Sequence, residues 1–410
     1  MNHNWKNNFF KIWTGQGVSL LTSSILQFAI VWYLVDQTGS ALILTASMLM
    51  GFLPRGILGP FIGVAIDRLS RKTIMIVSDL VIAFACLMLA VVGSFGEIPV
   101  WLIMVVLFIR SIGTGFHDPS LNAVTAQIVP ADELTKYAGY SQGLNSVSNM
   151  LSPVLAGILY GFVSLNVIIF LDVIGALIAI TVLMFCYIPK PKVENKARRV
   201  HVIEEAKEGF EVLKSKKGVM GLVLVGSLYT IALMPTSALF PLMSMSYFGG
   251  NSRNASAVEF VFSVGLLVGS VMISKFFKNK NKLKTIVFSY LLMSVSLIGS
   301  GILNPDQYIW FVGFSFLMGL SGPFYWGMYT PLLQQSFQEQ HMGRVLSLSQ
   351  SIQYLAGPIG LGFSGVYTEV AGVENWFLLA GIITLVAALI CFSVPSIRNC
   401  DEERLVMDQH

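Results

Sequence analysis

Apolar residues run along this chain in stretches of about 20, the length a helix needs to cross a bilayer core. They do not alternate at the period of a half-buried strand, and they are not confined to one stripe of a soluble helix. The stretches fall at 12–35, 41–66, 73–95, 98–128, 138–161, 164–188, 218–247, 256–275, 284–303, 307–335, 344–368 and 375–395. They divide six and six about one long polar stretch, 189–217. The pattern predicts an all-α membrane protein of twelve transmembrane helices. Two six-helix bundles, 1–188 and 218–397, are joined by a linker at 189–217 and followed by a tail at 398–410.

Composition agrees with a lipid-facing surface. Hydrophobic residues make up 54% and charged ones 12%, against about 25% charge in an ordinary globular chain. The mean hydropathy is +0.71. There is too little charge to coat a soluble protein of this size, so the bilayer is the expected partner. The N-terminus, Met1 to Lys11, is polar and basic and lacks a small-residue cleavage site, so helix 1 is expected to act as its own insertion signal.

Charge placement orients the chain. Of 26 Lys and Arg residues, 23 lie in the termini and in the segments 67–72, 189–217 and 275–284 or at Lys136 and Arg344. The other side of the expected bilayer holds only Arg253, and Arg55 and Arg110 fall within helices. Cytoplasmic loops collect basic residues, so both termini and the linker are expected in the cytoplasm. Within the linker, Val202, Ala206, Phe210 and Leu213 share one face of a short amphipathic helix suited to the membrane surface. An offset of 205 residues, half of 410, lays Ser146, Pro153 and Gly157 over Ser351, Pro358 and Gly362. Parallel repeats of this kind recur in transporters.

Between the second and third helices stands Gly63-x-x-x-Asp67-Arg68-x-x-Arg71-Lys72. This resembles the signature loop of the major facilitator superfamily. Further on, Leu107-Phe-Ile-Arg110-Ser-Ile-Gly113-Thr-Gly115-Phe116 is similar to helix 4 of the macrolide efflux proteins of Gram-positive bacteria. Trp13-x-Gly15-Gln16, Gly51-Phe-Leu-Pro54, Leu134-Thr-Lys136 and Gly343-Arg344-Val345 are similar too. The resemblance implies the major facilitator fold in the cell membrane of a bacterium. It also implies export of macrolide-like amphiphilic drugs, with antibiotic resistance as the outcome and protons as the exchanged ion. Export of another amphiphile, such as a siderophore or a different antibiotic, and movement of a lysolipid remain the alternatives. The chain departs from drug antiporters in helix 5, where a Gly-Pro-rich motif is reduced to Ser152-Pro153-Val-Leu-Ala156-Gly157. It also has no acid within helix 1 except Asp36 near its end.

Charged groups inside a membrane are costly, so they are functional candidates first. Arg110 lies about eleven residues past Pro99, or ~16 Å at the helical rise, near mid-bilayer. By resemblance it takes part in coupling; the alternative is a structural ion pair. Arg55 follows Pro54 at similar depth and suits either substrate contact or internal pairing. Asp118, two turns from Arg110 on much the same face, is the best-placed proton carrier, unless it pairs with the arginines of 67–72. Asp79 and Asp172 read rather as packing anchors. Gly63, Asp67, Arg68 and Arg71 form the gating motif: Gly63 permits close helix contact, and Asp67 suits the positive end of a neighbouring helix.

By resemblance helices 1, 4, 7 and 10 line the substrate cavity. Their polar and aromatic residues allow it: Gln16, Ser23 and Gln27; Tyr229 and Thr236; Ser321, Tyr325 and Tyr329. Each equally suits helix packing. No enzyme active site is expected. There is no GxxxxGK[ST] phosphate loop for ATP. Neither the four cysteines nor the five histidines show metal spacing, so no cofactor and no metal are expected, and nothing in the charge pattern points to nucleic acid.

Overall fold

The computed structural model describes residues 5–130, 133–188, 210–276, 281–337 and 339–400. Most of the expected linker helix at 202–213 lies outside the described residues; 210–215 are helical, with Leu213 buried. The first six long helices are α1 (Trp5–Thr38), α2 (Ala41–Arg68), α3 (Arg71–Gly93), α4 (Val100–Ile128), α5 (Leu134–Phe162) and α6 (Leu165–Phe185). The next six are α7 (Lys217–Leu242), α8 (Ser252–Phe276), α9 (Lys282–Gly301), α10 (Tyr308–Ser336), α11 (Glu339–Ala371) and α12 (Val373–Ser393). A one-turn α13 (Pro395–Arg398) follows.

Local chemistry sets the ends of these helices. Ser70 caps α3 by accepting the Thr73 N–H, and Asn281 caps α9 by accepting the Lys284 N–H at 2.9 Å. Gly39 (φ 57°) and Gly372 (φ 98°) turn the chain between α1 and α2 and between α11 and α12, in backbone conformations that a side chain resists. Pro235 and Pro241 interrupt the hydrogen-bond ladder of α7, which ends in a π-helical turn, Met243–Tyr247.

The helices are built with apolar groups outward. On α3, Val77, Leu80, Val81, Phe84, Met88 and Val91 form an exposed stripe at helical spacing, while Asp79 and Cys86 are buried opposite it. An exposed apolar stripe over about four turns is untenable in water. Among the described residues, nine helices are long and apolar enough to cross a membrane, and Ala41–Arg55 and Val147–Phe162 are shorter apolar stretches. In α11 the polar run Ser347, Ser349, Gln350, Ser351 and Gln353 lowers the hydropathy.

The chain divides into two compact units, Met1–Gly39 with Ala46–Lys196, and Ser40–Thr45 with Ala197–His410. In the first, α1 packs on α5 and α6, and α3 packs on α4 and α6. In the second, α7 packs on α11 and α12, and α9 packs on α10 and α12. The same four pairings therefore recur six helices later, as a parallel repeat requires. The second unit also contains a glycine seam. A Cβ on Gly265 or Gly269 of α8 would strike the backbone of α10, and one on Gly319 of α10 would strike that of α8. Only glycine allows these two backbones to approach so closely.

Candidate functional site

Four helices of the first unit meet at one ion pair. On α4 the buried positions Ile103, Val106, Leu107 and Arg110 follow the i, i+3, i+4, i+7 rhythm, so the helix aims Arg110 inward along with its apolar neighbours. On α6 the stripe Leu165, Ile168, Ile169, Asp172 and Ala176 does the same for Asp172. Arg110 Nη1 lies 2.6 Å from Asp172 Oδ2, with both side chains almost fully buried. Ser23 Oγ of α1 donates to Asp172 Oδ1 at 2.6 Å, and Arg110 Nη2 donates to the Ser23 carbonyl at 3.3 Å. Cys86 Sγ of α3 stands 3.1 Å from Arg110 Nη1 and 3.6 Å from Asp172 Oδ2. Gly175 makes this approach possible, since a Cβ there would collide with Thr22 of α1. Both charges are thus paired and hydrogen-bonded, the condition under which a buried pair is tolerated.

A second polar layer lies seven residues away on three of these helices. Gln16 precedes Ser23 by seven on α1, Asp79 precedes Cys86 by seven on α3, and His117 follows Arg110 by seven on α4. Asp79 Oδ1 is 3.6 Å from His117 Nε2, and both side chains are about nine-tenths buried. His117 Nδ1 is 3.5 Å from Asp118 Oδ1. Asp118 Oδ2 is in turn 3.9 Å from Arg55 Nη1 of α2, and these two side chains are 57% and 43% exposed. The Gln16 amide faces the Asp79 carboxyl. Asp79 Oδ2 and Gln16 Nε2 are nevertheless both buried without a hydrogen bond of ordinary geometry.

The site residues expected from sequence therefore sort differently. Arg110 is brought to Asp172, not to Asp118, and Asp118 lies 3.9 Å from Arg55. The cause is axial distance: eight helical residues separate Arg110 from Asp118 by ~12 Å, beyond the reach of a guanidinium. Arg71 Nη1 donates to the Ala123 carbonyl of α4 at 3.1 Å. Lys72 Nζ reaches the Met184 and Cys186 carbonyls at the end of α6, both at 2.9 Å. The side chains of Gly63, Asp67 and Arg68 lie outside the described residues.

Of the residues expected along a cavity wall, Gln16 and Ser23 turn into the first unit and Gln27 is half-buried. In the second unit, Tyr229, Thr236, Ser321, Tyr325 and Tyr329 are all buried. Tyr325 stacks on Tyr329 and sits against Tyr229 and Tyr290, and its hydroxyl donates to Gln353 Oε1 at 3.1 Å. Gly226 leaves the space that the Tyr325 hydroxyl and Gln353 fill. Thr236 and Ser321 spend their hydroxyls on the carbonyls of Ala232 and Met318, each at 2.7 Å. As folded here, these five side chains pack helices together and present no open wall. Asp172, expected as a packing anchor, anchors Arg110, and Asp79 sits beside His117, a residue the sequence alone does not single out. The seven-residue polar spacing repeated in three helices was the signal available. Among the described residues no three His, Cys, Asp or Glu side chains converge as metal ligands.

Among the described residues, twelve long helices, an internal repeat by sixes and charge buried inside bundles with apolar outer faces define a polytopic membrane transporter architecture. The Major Facilitator Superfamily model matches residues 12–361 and 284–399, and the chain belongs to that family of transporters. It is 46% identical over 399 residues to macrolide efflux protein A of Streptococcus pyogenes, covering 97% of this chain and 98% of that one. It is also 46% identical over 323 residues to macrolide efflux protein A of Enterococcus faecalis, covering 79% and 100%. A solved bacterial homologue of the iron transporter ferroportin, in an inward-facing state, superposes with a TM-score of 0.76. It covers 98% of this chain and 100% of that one, at 13% identity, a likeness of fold alone.

Proposed function

We propose that this protein is a secondary exporter of macrolide-like amphiphiles in the plasma membrane of a bacterium, exchanging drug for protons. The observation that carries the reading is the 46% identity, sustained over 97% of this chain, to macrolide efflux protein A. The sequence offers no phosphate loop for ATP, which favours an ion gradient as the energy source. In this reading 1–188 and 218–397 are the two bundles, 189–217 is a cytoplasmic linker, and both termini, including the tail 398–410, are cytoplasmic. Gly63, Asp67, Arg68 and Arg71 form a gate whose contacts bias one conformer over another by a few kcal/mol at most. Arg110, a permanent cation, pairs with Asp172 at 2.6 Å and sets the field felt by the carboxylates around it, while Arg55 and Asp118 form the exposed end of the same polar column. Gln27, Tyr325 and their neighbours on α1, α7 and α10 contact the drug in a conformer that opens the packing described above.

The test is accumulation of labelled erythromycin in cells with and without the protein, repeated with a protonophore. Export predicts lower accumulation in expressing cells, and antiport predicts that the protonophore erases the difference. Equal accumulation in both cell types would remove the drug assignment. A difference that survives the protonophore would remove the proton.

A further inference from the structure

We propose that Asp79 and His117 together form the proton-binding site of this transporter, loaded through Asp118. The proposal rests on the antiport reading above and assigns it to particular atoms. Three observations carry it. First, Asp79 is a buried carboxyl for which, among the described residues, no Arg or Lys lies within ion-pair distance: its ion-pair partner is the imidazole 3.6 Å away, and the other charges bearing on it, Asp172 and Asp118, are carboxylates. Second, the polar capacity around it is unspent, since Asp79 Oδ2, His117 Nε2 and Gln16 Nε2 are all buried without a hydrogen bond of ordinary geometry. Third, the two ring nitrogens face opposite ways, Nε2 toward buried Asp79 and Nδ1 toward Asp118, whose side chain is 57% exposed.

That arrangement contrasts with the Arg110–Asp172 layer one step along the same helices. There every charge is matched, and an arginine does not give up its proton. Imidazole, by contrast, exchanges protons near neutral pH and does so at either nitrogen. The proton balance is simple. A proton delivered by Asp118 binds Nδ1; the proton on Nε2 passes to Asp79 Oδ1; the ring returns to neutrality in its other tautomer. Asp118 is left as carboxylate and Asp79 becomes the acid. The reverse sequence unloads the site.

The groups that bear on this imidazole are few. Asp79 faces it from α3 and Asp118 from its own helix. From α2, Arg55 reaches Asp118, and from α1 uncharged Gln16 reaches Asp79. Arg110, further along α4, is closed by Asp172. Among the described residues no other titratable group faces His117. Protonation changes what Asp79 does to its neighbours. The carboxylate draws in the imidazole and the Gln16 amide as donors, whereas the acid donates a hydrogen bond and releases one of them. The pair titrates as a unit, so its occupancy is a property of both residues.

The experiment uses the full-length purified protein in weakly buffered detergent solution with a pH-indicator dye and erythromycin as the probe. Drug addition to the parent is expected to release protons. His117→Gln and Asp79→Asn are expected to bind labelled erythromycin while proton release falls to background. Release equal to the parent's from either variant, with drug binding intact, would overturn the proposal and leave antiport standing. No release from the parent would instead overturn the antiport reading itself. A measurement on the unaltered protein covers the case where the variants do not fold. A hydrophobic carbodiimide, which attacks protonated carboxyls in apolar surroundings, should label Asp79, less so as pH rises and less so with erythromycin bound. Mass spectrometry that finds no label on Asp79, or the same label with and without drug, refutes the assignment.

Discussion

Arg110 and Asp172, 62 residues apart in sequence, close a 2.6 Å ion pair that ties α4 to α6 and, through Ser23 and Cys86, to α1 and α3. Removing one partner leaves the other charge buried and unmatched, at a cost of about 3–5 kcal/mol. Arg110→Ala and Asp172→Ala should each lower the unfolding temperature in detergent sharply. The joint apolar replacement of Arg110 by Met and Asp172 by Leu should recover most of the loss without recovering transport. Unfolding can be followed by dye labelling of Cys86, which is fully buried in the folded chain. Single variants as stable as the parent would show that the pair contributes nothing.

The orientation is open to thiol chemistry, because the native cysteines, Cys86, Cys186, Cys391 and Cys400, are all buried and give a low background. Gln37, Asn304 and Ser215 are exposed positions. Cysteines at Gln37 and Asn304 should react with a membrane-impermeant maleimide added to intact cells. One at Ser215 should react only after permeabilisation. Labelling of Ser215→Cys in intact cells would reverse the inside and outside assigned from basic residues.

Two glycines of α10 should behave oppositely. A methyl on Gly319 meets the Phe262 carbonyl, and backbone has nowhere to go, so Gly319→Ala is expected to cost at least about 1–3 kcal/mol. Gly313 has open space around its Cβ position, and Gly313→Ala should gain about 0.5–1 kcal/mol through reduced chain entropy. Melting temperatures of the two variants in one detergent decide the matter. Equal shifts would mean that the seam is not tight.

Lys72 places an ammonium on two carbonyls at the C-terminal end of α6, where the helix dipole is negative. Lys72→Met should cost about 0.3–1 kcal/mol, less at high salt. It should also change the alkylation rate of Cys186, whose own carbonyl is one of the two. Unchanged Cys186 reactivity would mean the contact is not populated.

The helices were legible because their signal is long and simple. Each expected segment lies within or close to an observed one, although α1 is already helical at Trp5, ahead of 12, and α11 extends to Ala371. What the apolar run hides is its own ends, since a helix that leaves the bilayer continues through polar residues without a change in backbone. The site was less legible. Arg110 stood out as a charge in an apolar run, but its partner could not be read from a neighbour on the same helix. Asp118 is nearer in sequence and too far along the axis, whereas Asp172 comes from a helix whose proximity is a tertiary fact. His117 is not legible in the sequence, because a lone histidine among apolar residues is uninformative until a carboxylate is seen beside it. The aromatic residues of α7 and α10 were legible as a group, yet composition does not distinguish a stack that binds from one that packs.

The glycine seam between α8 and α10 has a mechanical consequence. Where two backbones touch along Gly265, Gly269 and Gly319, no side-chain layer lies between them to act as a lubricant. The helices cannot slide or roll past each other without collision, so together they behave as a double-walled strut. Compliance in the second unit must then be found elsewhere. The soft place is α7, where Pro235 and Pro241 have already deleted rungs of the ladder and the π-helical turn widens the coil. Load applied to this unit is expected to bend α7 first and to carry α8 and α10 along as one stiff beam.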